Sequence, residues 1–147
     1  MDKIDRKLLK LLHENSRISI VELSQKINLS RPSVKERIDK LVEQEIIKNF
    51  TVQISLEHVL QTITFFTELT QVTLSVEKVL ELLKNNPYVN EVHIVSGEVN
   101  YLVKATVTST TEMKDLLAKW MQFAQVKSSV VLETIVENQL CLDTDNE

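Results

Sequence analysis

Apolar residues recur at Ile4, Leu8, Leu11 and Leu12, the i, i+4, i+7, i+8 stripe of an amphipathic helix, and predict a first helix over residues 2–15. Ser19 and Glu22 stand at the spacing of a capping box, in which the serine caps a new helix and the glutamate reaches back to the cap N–H. That second helix carries Val21, Leu23 and Ile27. Asn28-Leu29-Ser30 ends it, because asparagine tolerates the left-handed backbone at a helix terminus. Ser30 then caps a third helix with Pro32 in its first turn, where the missing N–H is harmless, and with a buried stripe of Val34, Ile38, Leu41 and Val42. Three short helices and two tight connections thus fill the first 45 residues.

Beyond them the period changes. Phe50-Thr51-Val52-Gln53-Ile54 alternates apolar and polar, predicting a strand that leaves the helical unit, and residues 56–61 read as a connector. Ile63 to Leu69 alternates as a strand, and Val76, Val79, Leu80 and Leu83 predict a helix stopped near Pro87. Val89 to Ser96 and Tyr101 to Thr108 read as strands on either side of Gly97. Met113, Leu116, Leu117, Trp120 and Met121 predict a further helix, and Val130 to Val136 a last strand. The order β-α-β-β-α-β is that of a ferredoxin-like sandwich, two helices on one face of a four-stranded sheet.

The fold class is therefore α+β. A helix-turn-helix domain is expected over residues 1–48, its motif at about 20–39, then a linker strand and connector over 49–61 and a ferredoxin-like domain over 62–147. In "YLVKATV" and "SSVVLETIV" apolar residues fall on both alternations, which implies that both faces of the sheet are covered. Two helices cover only one face. A second copy is the expected cover of the other, so a homodimer built through the C-terminal half is predicted.

Composition narrows the function classes. With 43% apolar and 26% charged residues in 147, the chain is ordinary globular protein. No run approaches the roughly 18 apolar residues of a membrane span. The charged start, MDKIDRKLLKLLHENSR, has no apolar signal-peptide region, so a cytoplasmic location is expected. Cys141 is the single cysteine, which excludes an internal disulfide framework and a cysteine-based zinc site. Net charge is −4, but residues 1–60 hold 11 Lys and Arg against 9 Asp and Glu, while residues 61–147 hold 6 against 12. A half at +2 joined to a half at −6 places any polyanion contact in the first.

Within the window Ile20 to Asp39, apolar residues fall at Leu23, Ile27, Leu29, Val34 and Ile38, a small residue at Ser24, and Asn28 in the turn. A helix-turn-helix needs these features, a small residue where two helices cross closely and a left-handed residue between them. The second helix of the pair then presents Arg31, Ser33, Lys35, Arg37 and Lys40 away from its stripe, a basic outer face able to enter a major groove. Candidate base contacts are Arg31, Ser33 and Lys35, with Ser30 at the helix start; Arg17, Arg37 and Lys40 are candidate phosphate contacts. The plainer reading, charges that merely solvate a small helical subdomain, leaves the agreement of several positional requirements within twenty residues unaccounted for.

With "IDRKLLKLLHENSRISIVELSQKINLSRPSVKERIDKLVEQEIIKNF" and the later "EVHIVSGEVNYLVKATV", the sequence resembles the Lrp/AsnC (feast/famine) transcriptional regulators. The resemblance implies a winged-helix-like DNA-binding domain and a ferredoxin-like RAM/AsnC-type regulatory domain. It also implies double-stranded DNA as partner and a dimer that assembles further into tetramers or octamers. An amino-acid effector is implied in the loop matching Ser96, Gly97, Asn100 and Tyr101 and on a following strand at Ser129. No catalytic residue, metal or cofactor is implied. The family commonly has Gly-x-x-Asp in that loop, and here Gly97 is kept while Asn100 stands for the aspartate. Gln125-Val126, Ser129 and Val131 also stand where a Gly-Val pair and two threonines are common. Asn100 removes a carboxylate that would pair with a ligand ammonium.

Other classes find little. His13, His58 and His93 are far apart and lack metal-ligand spacing, and His93 reads as a packing or interface residue. Trp120 and Met121 read as core, and Tyr88 as either a pocket wall or surface packing. Two alternatives share the two-domain organisation: a DNA-compacting architectural protein, and a sirohaem-decarboxylase-like enzyme, for which the acidic half offers only His93 and a few lysines. Gly97, the single glycine where roughly 7% would be average, is expected to hold a positive φ between two strands.

Overall fold

The computed structural model describes residues 1–52, 54 and 60–141. Two compact units make up the chain, Met1–Gln53 with Val136–Glu147, and Ile54–Ile135. In the first, α1 (Lys3–Glu14), α2 (Ile20–Ile27) and α3 (Arg31–Glu43) follow the periods read from the sequence. Leu8, Leu23 and Val34 are fully enclosed, and Leu12, Ile27 and Leu41 nearly so. Val42 was expected in this stripe but is 43% exposed. Leu41 takes the inward position, and the next residue turns about 100° away from it. The helix is capped at Gln44, the next residue Glu45 is left-handed with φ of 56°, and Ile47 folds back to donate its N–H to the Leu41 carbonyl at 3.0 Å.

The start of α1 holds a device the periodicity does not reveal. Asp2 caps the helix by accepting the Asp5 N–H at 2.8 Å, and Asp5 accepts the Asp2 N–H at 3.0 Å. This is a capping box with aspartate in the place usual for glutamate.

In the second unit, β1 (Ile63–Thr70), α4 (Val76–Lys84), β2 (Val89–Ile94), β3 (Tyr101–Val107), α5 (Thr110–Trp120) and β4 (Gln125–Val130) form the expected β-α-β-β-α-β sequence. The sheet is antiparallel in the order β2-β3-β1-β4. One face supplies Phe65, Leu69, Tyr101, Val103, Ala105 and Val107, and Val79, Leu83, Leu116 and Trp120 of the helices close over it. Thr67 is the buried polar exception, and its hydroxyl pairs with that of Ser128 at 2.8 Å. Met121, expected in the core beside Trp120, is 60% exposed at the end of its helix.

Three expectations are corrected here. The last strand is Gln125–Val130, not Val130–Val136. β1 decides this: Gln125 stands opposite Thr70, Val130 opposite Phe65, and the Val131 N–H reaches Thr64, after which β1 has almost run out. The apolar run from Val130 onward therefore has no ladder to join. Second, the apolar residues of β3 lie mostly on one face, with Leu102 alone on the other. Tyr101, Val103, Ala105 and Val107 point to the helices, leaving Leu102, Lys104 and Thr106 on the open face. That face carries Phe66 and Leu102 among Thr64, Glu68, Lys104, Lys127 and Ser129. Third, the expected linker strand finds no ladder among the described residues: Phe50, Thr51, Val52 and Ile54 are unpaired there, and an extended segment needs a neighbouring strand. Gln53 and residues 55–59 of the connector, with His58, lie outside the described residues.

Gly97 sits in the β2–β3 connection with φ of 110°. A Cβ there would meet nothing within 4 Å, so the backbone and not the space requires glycine. Gly97→Ala is expected to lower the unfolding free energy by about 1–2 kcal/mol, the cost of a left-handed L-residue. Denaturant midpoints of the two proteins check it; equal midpoints would show that the loop relaxes to negative φ.

Candidate nucleic-acid interface

The turn between α2 and α3 aims the second helix. Glu22 closes the Ser19 capping box, accepting the Ser19 N–H at 3.0 Å and its hydroxyl at 2.8 Å. Those bonds, the backbone one foremost, hold the Glu22 carboxyl below the usual glutamate range. Ser24 is half-buried and its hydroxyl donates to the Val21 carbonyl at 2.7 Å, so no side chain intrudes where the helices meet. Asn28 takes the left-handed conformation, φ 55° and ψ 46°, as expected. The chain is then extended at Ser30, whose Oγ accepts the Ser33 N–H at 3.3 Å and lies 2.8 Å from the Ser33 hydroxyl.

The candidate DNA-binding residues divide into three groups. Ser30 and Ser33 are occupied with capping α3. Arg17, Arg31 and Lys35 are exposed, and no side-chain partner holds any of them among the described residues. Arg37 and Lys40 are engaged. The Arg37 Nη1 lies 2.7 Å from both Asp2 Oδ2 and Asp5 Oδ1, so α3 is tied to the capping box of α1. Hydrogen bonds to Asp2 and then Asp5 raise the Arg37 pKa further. Asp2 is lowered in turn, first by the Asp5 N–H and then by Arg37. The Arg37 charge is thus already matched by two carboxylates, unlike that of Arg31 and Lys35. Lys40 Nζ lies 2.8 Å from Glu36 Oε1 one turn earlier, raising the lysine and lowering the glutamate.

The outer face of α3 is also less basic than expected. With Val34, Ile38 and Leu41 turned inward, the surface of α3 presents Pro32, Lys35, Glu36, Asp39, Lys40 and Glu43 around one shallow depression. Three carboxylates thus stand among the cations. The i, i+4 spacing of Glu36 to Lys40 is the signal in the sequence that marks one of these cations as paired.

The effector candidates do not converge within one chain. Ser96, Gly97 and Asn100 are exposed in the β2–β3 loop, and the Asn100 N–H anchors it to the Leu69 carbonyl at 2.9 Å. Tyr101 is only 4% exposed, and its ring belongs to the sheet core. Ser129 lies on β4 opposite Phe66, three ladder steps, or about 10 Å, from the Leu69–Tyr101 end. Tyr88 packs at the surface, donating to Glu112 at 3.3 Å; the Thr108 N–H and hydroxyl also bind that carboxylate and hold it low. His93 pairs with Glu91 at 3.1 Å on the open sheet face. Among the described residues, no His, Cys, Asp and Glu cluster could hold a metal, and no helix is long and apolar enough to cross a membrane.

Residues 1–48 match the winged helix-turn-helix DNA-binding family, and residues 64–140 the Lrp/AsnC ligand binding domain. The chain is 27% identical over 135 residues to the HTH-type transcriptional regulator LrpC of Bacillus subtilis, covering 92% of this chain and 94% of LrpC. It is 32% identical over 144 residues to an uncharacterized HTH-type transcriptional regulator of Pyrococcus abyssi, covering 93% of this chain and 96% of that one. The structure of LrpC superposes with a TM-score of 0.86 at 26% identity, over 95% of this chain and 99% of LrpC. A Neisseria meningitidis transcriptional regulator in complex with L-methionine gives 0.85 at 26% identity, over 93% of each chain. These relatives are transcriptional regulators and lend no support to the compaction or sirohaem alternatives. With an N-terminal helix-turn-helix and a four-stranded α+β domain matched over nearly its whole length, the chain belongs to the Lrp/AsnC family of transcriptional regulators.

Proposed function

We propose that this regulator binds duplex DNA sequence-specifically in the cytoplasm as a two-fold dimer or a higher multiple, a tetramer or octamer, through the N-terminal end of α3. One observation carries the reading. A left-handed turn at Asn28 and the Ser30 cap present Arg31 and Lys35, both exposed and without a side-chain partner among the described residues, at the tip of a helix anchored on a closed core. Arginine is the commonest reader of guanine edges, and recognition helices read with their N-terminal residues. Support for the second copy comes from Phe66 and Leu102 on the open sheet face and from Leu132, 96% exposed beyond β4. An amino acid is the proposed effector, held by the loop 96–100. A site that also used Ser129 would draw that residue from a second copy, because the two are separated within one chain.

Selection of bound fragments from a random duplex pool tests this, run with and without each amino acid. A two-fold symmetric motif is expected, with half-sites about one helical turn, roughly 34 Å, apart. One amino acid should change the recovered motif or its yield. A pool that stays random under every condition defeats the reading.

A further inference from the structure

Glu36 is out of place on a helix read as entering DNA, and its position assigns it a use. It stands on the second turn of α3, exposed, in the half of the helix that carries Arg31 and Lys35. A carboxylate brought between phosphates weakens binding to any DNA. It becomes favourable only where it accepts a hydrogen bond from a base. In the major groove the base donors are the amino groups of cytosine and adenine.

We infer that Glu36 is a specificity-determining residue that accepts from a cytosine N4 amino group, with Lys40 donating to the guanine of the same base pair. The inference rests on the DNA-binding reading above. Lys40 Nζ stands 2.8 Å from Glu36 Oε1, so donor and acceptor are already side by side. A G·C pair offers the complementary arrangement, the guanine O6 and N7 acceptors next to the cytosine N4 donor. Adenine is a poorer match. Its amino group adjoins its own N7, against which the second carboxylate oxygen would be set, and that edge suits an amide. Both Glu36 and Lys40 are more than 60% exposed at the side chain, and α3 packs through Val34 and Leu41 instead, so replacing either leaves the core intact.

The test is selection from a random duplex pool with the full chain, wild type against Glu36→Ala and Glu36→Gln, with melting temperatures as the folding control. Wild type should require cytosine at one position of each half-site. Glu36→Ala should relax that preference by about tenfold. It should also bind random DNA more tightly, and the log–log salt slope should steepen by about one as Lys40 is released to a phosphate. Glu36→Gln should move the preference from cytosine to adenine. Unaltered base preferences in Glu36→Ala, or loss of a preference for an A·T pair instead of a G·C pair, overturn the assignment while leaving DNA binding intact. A wild-type protein that selects no motif overturns both readings.

Discussion

Replacing Arg31 with alanine is expected to weaken binding to the selected operator by about 1–3 kcal/mol and to relax the preference at one base position. Arg31 is the first residue of α3, immediately after the Ser30 cap, and is exposed. A guanidinium in that place can give two parallel hydrogen bonds to guanine O6 and N7. Arg37, on the same helix, should behave differently, because two aspartates of α1 already hold it at 2.7 Å. Titration of each variant against the operator, against single-base variants of it and against random DNA separates the roles. A loss for Arg31→Ala confined to the operator identifies a base contact. A uniform loss on all three would make Arg31 a phosphate contact, and no loss would remove Arg31 from the interface.

How much of this was legible beforehand depended on whether a feature was local. The capping box at Ser19 and Glu22, the turn at Asn28 and the cap at Ser30 are contained within four or five residues, and each appears where the pattern put it. The β-α-β-β-α-β order was equally readable, since helix and strand periods differ so plainly. What escaped was set by partners distant in sequence. β4 stops at Val130 because β1 ends, a limit that no feature of "SSVVLETIV" contains. Arg37 reads as a free cation until α1 is folded against α3 and brings Asp2 and Asp5 to it across more than 30 residues. Tyr101 beside the glycine loop looked available to a ligand, yet the alternation of β3 turns it into the core with Val103. Glu36 was legible in part: its pairing with Lys40 follows from spacing, whereas its exposure follows from the burial of Val34 and Leu41 on the other side of α3.

Leu23→Ala is expected to weaken DNA binding strongly without touching Arg31 or Lys35. Leu23 is fully enclosed at the centre of the three-helix core, packed with Leu8, Leu12, Ile27, Val34 and Leu41. Truncating such a leucine costs about 2–5 kcal/mol, from the lost transfer energy and the cavity left behind. A unit of some fifty residues has only about 2.5–7.5 kcal/mol to lose, at 0.05–0.15 kcal/mol per residue, and small domains bury the least surface in proportion. The substitution therefore removes a large part of that stability, and where its cost lies at the upper end of the range the helix-turn-helix is substantially unfolded at ambient temperature. The sheet unit has a separate core around Phe65, Leu69 and Val103, with which Leu23 is not clustered. Calorimetry of the full chain should show the transition of the helical unit shifted down or lost while that of the sheet remains. Electrophoretic mobility on the operator should show a weakened complex, lost as the temperature rises through the shifted transition. If Leu23→Ala bound DNA like wild type, the three-helix core would not be what holds α3 in its reading position. If the sheet transition fell equally, the two cores would fold as one cooperative unit, and their separation into two clusters would carry no thermodynamic meaning.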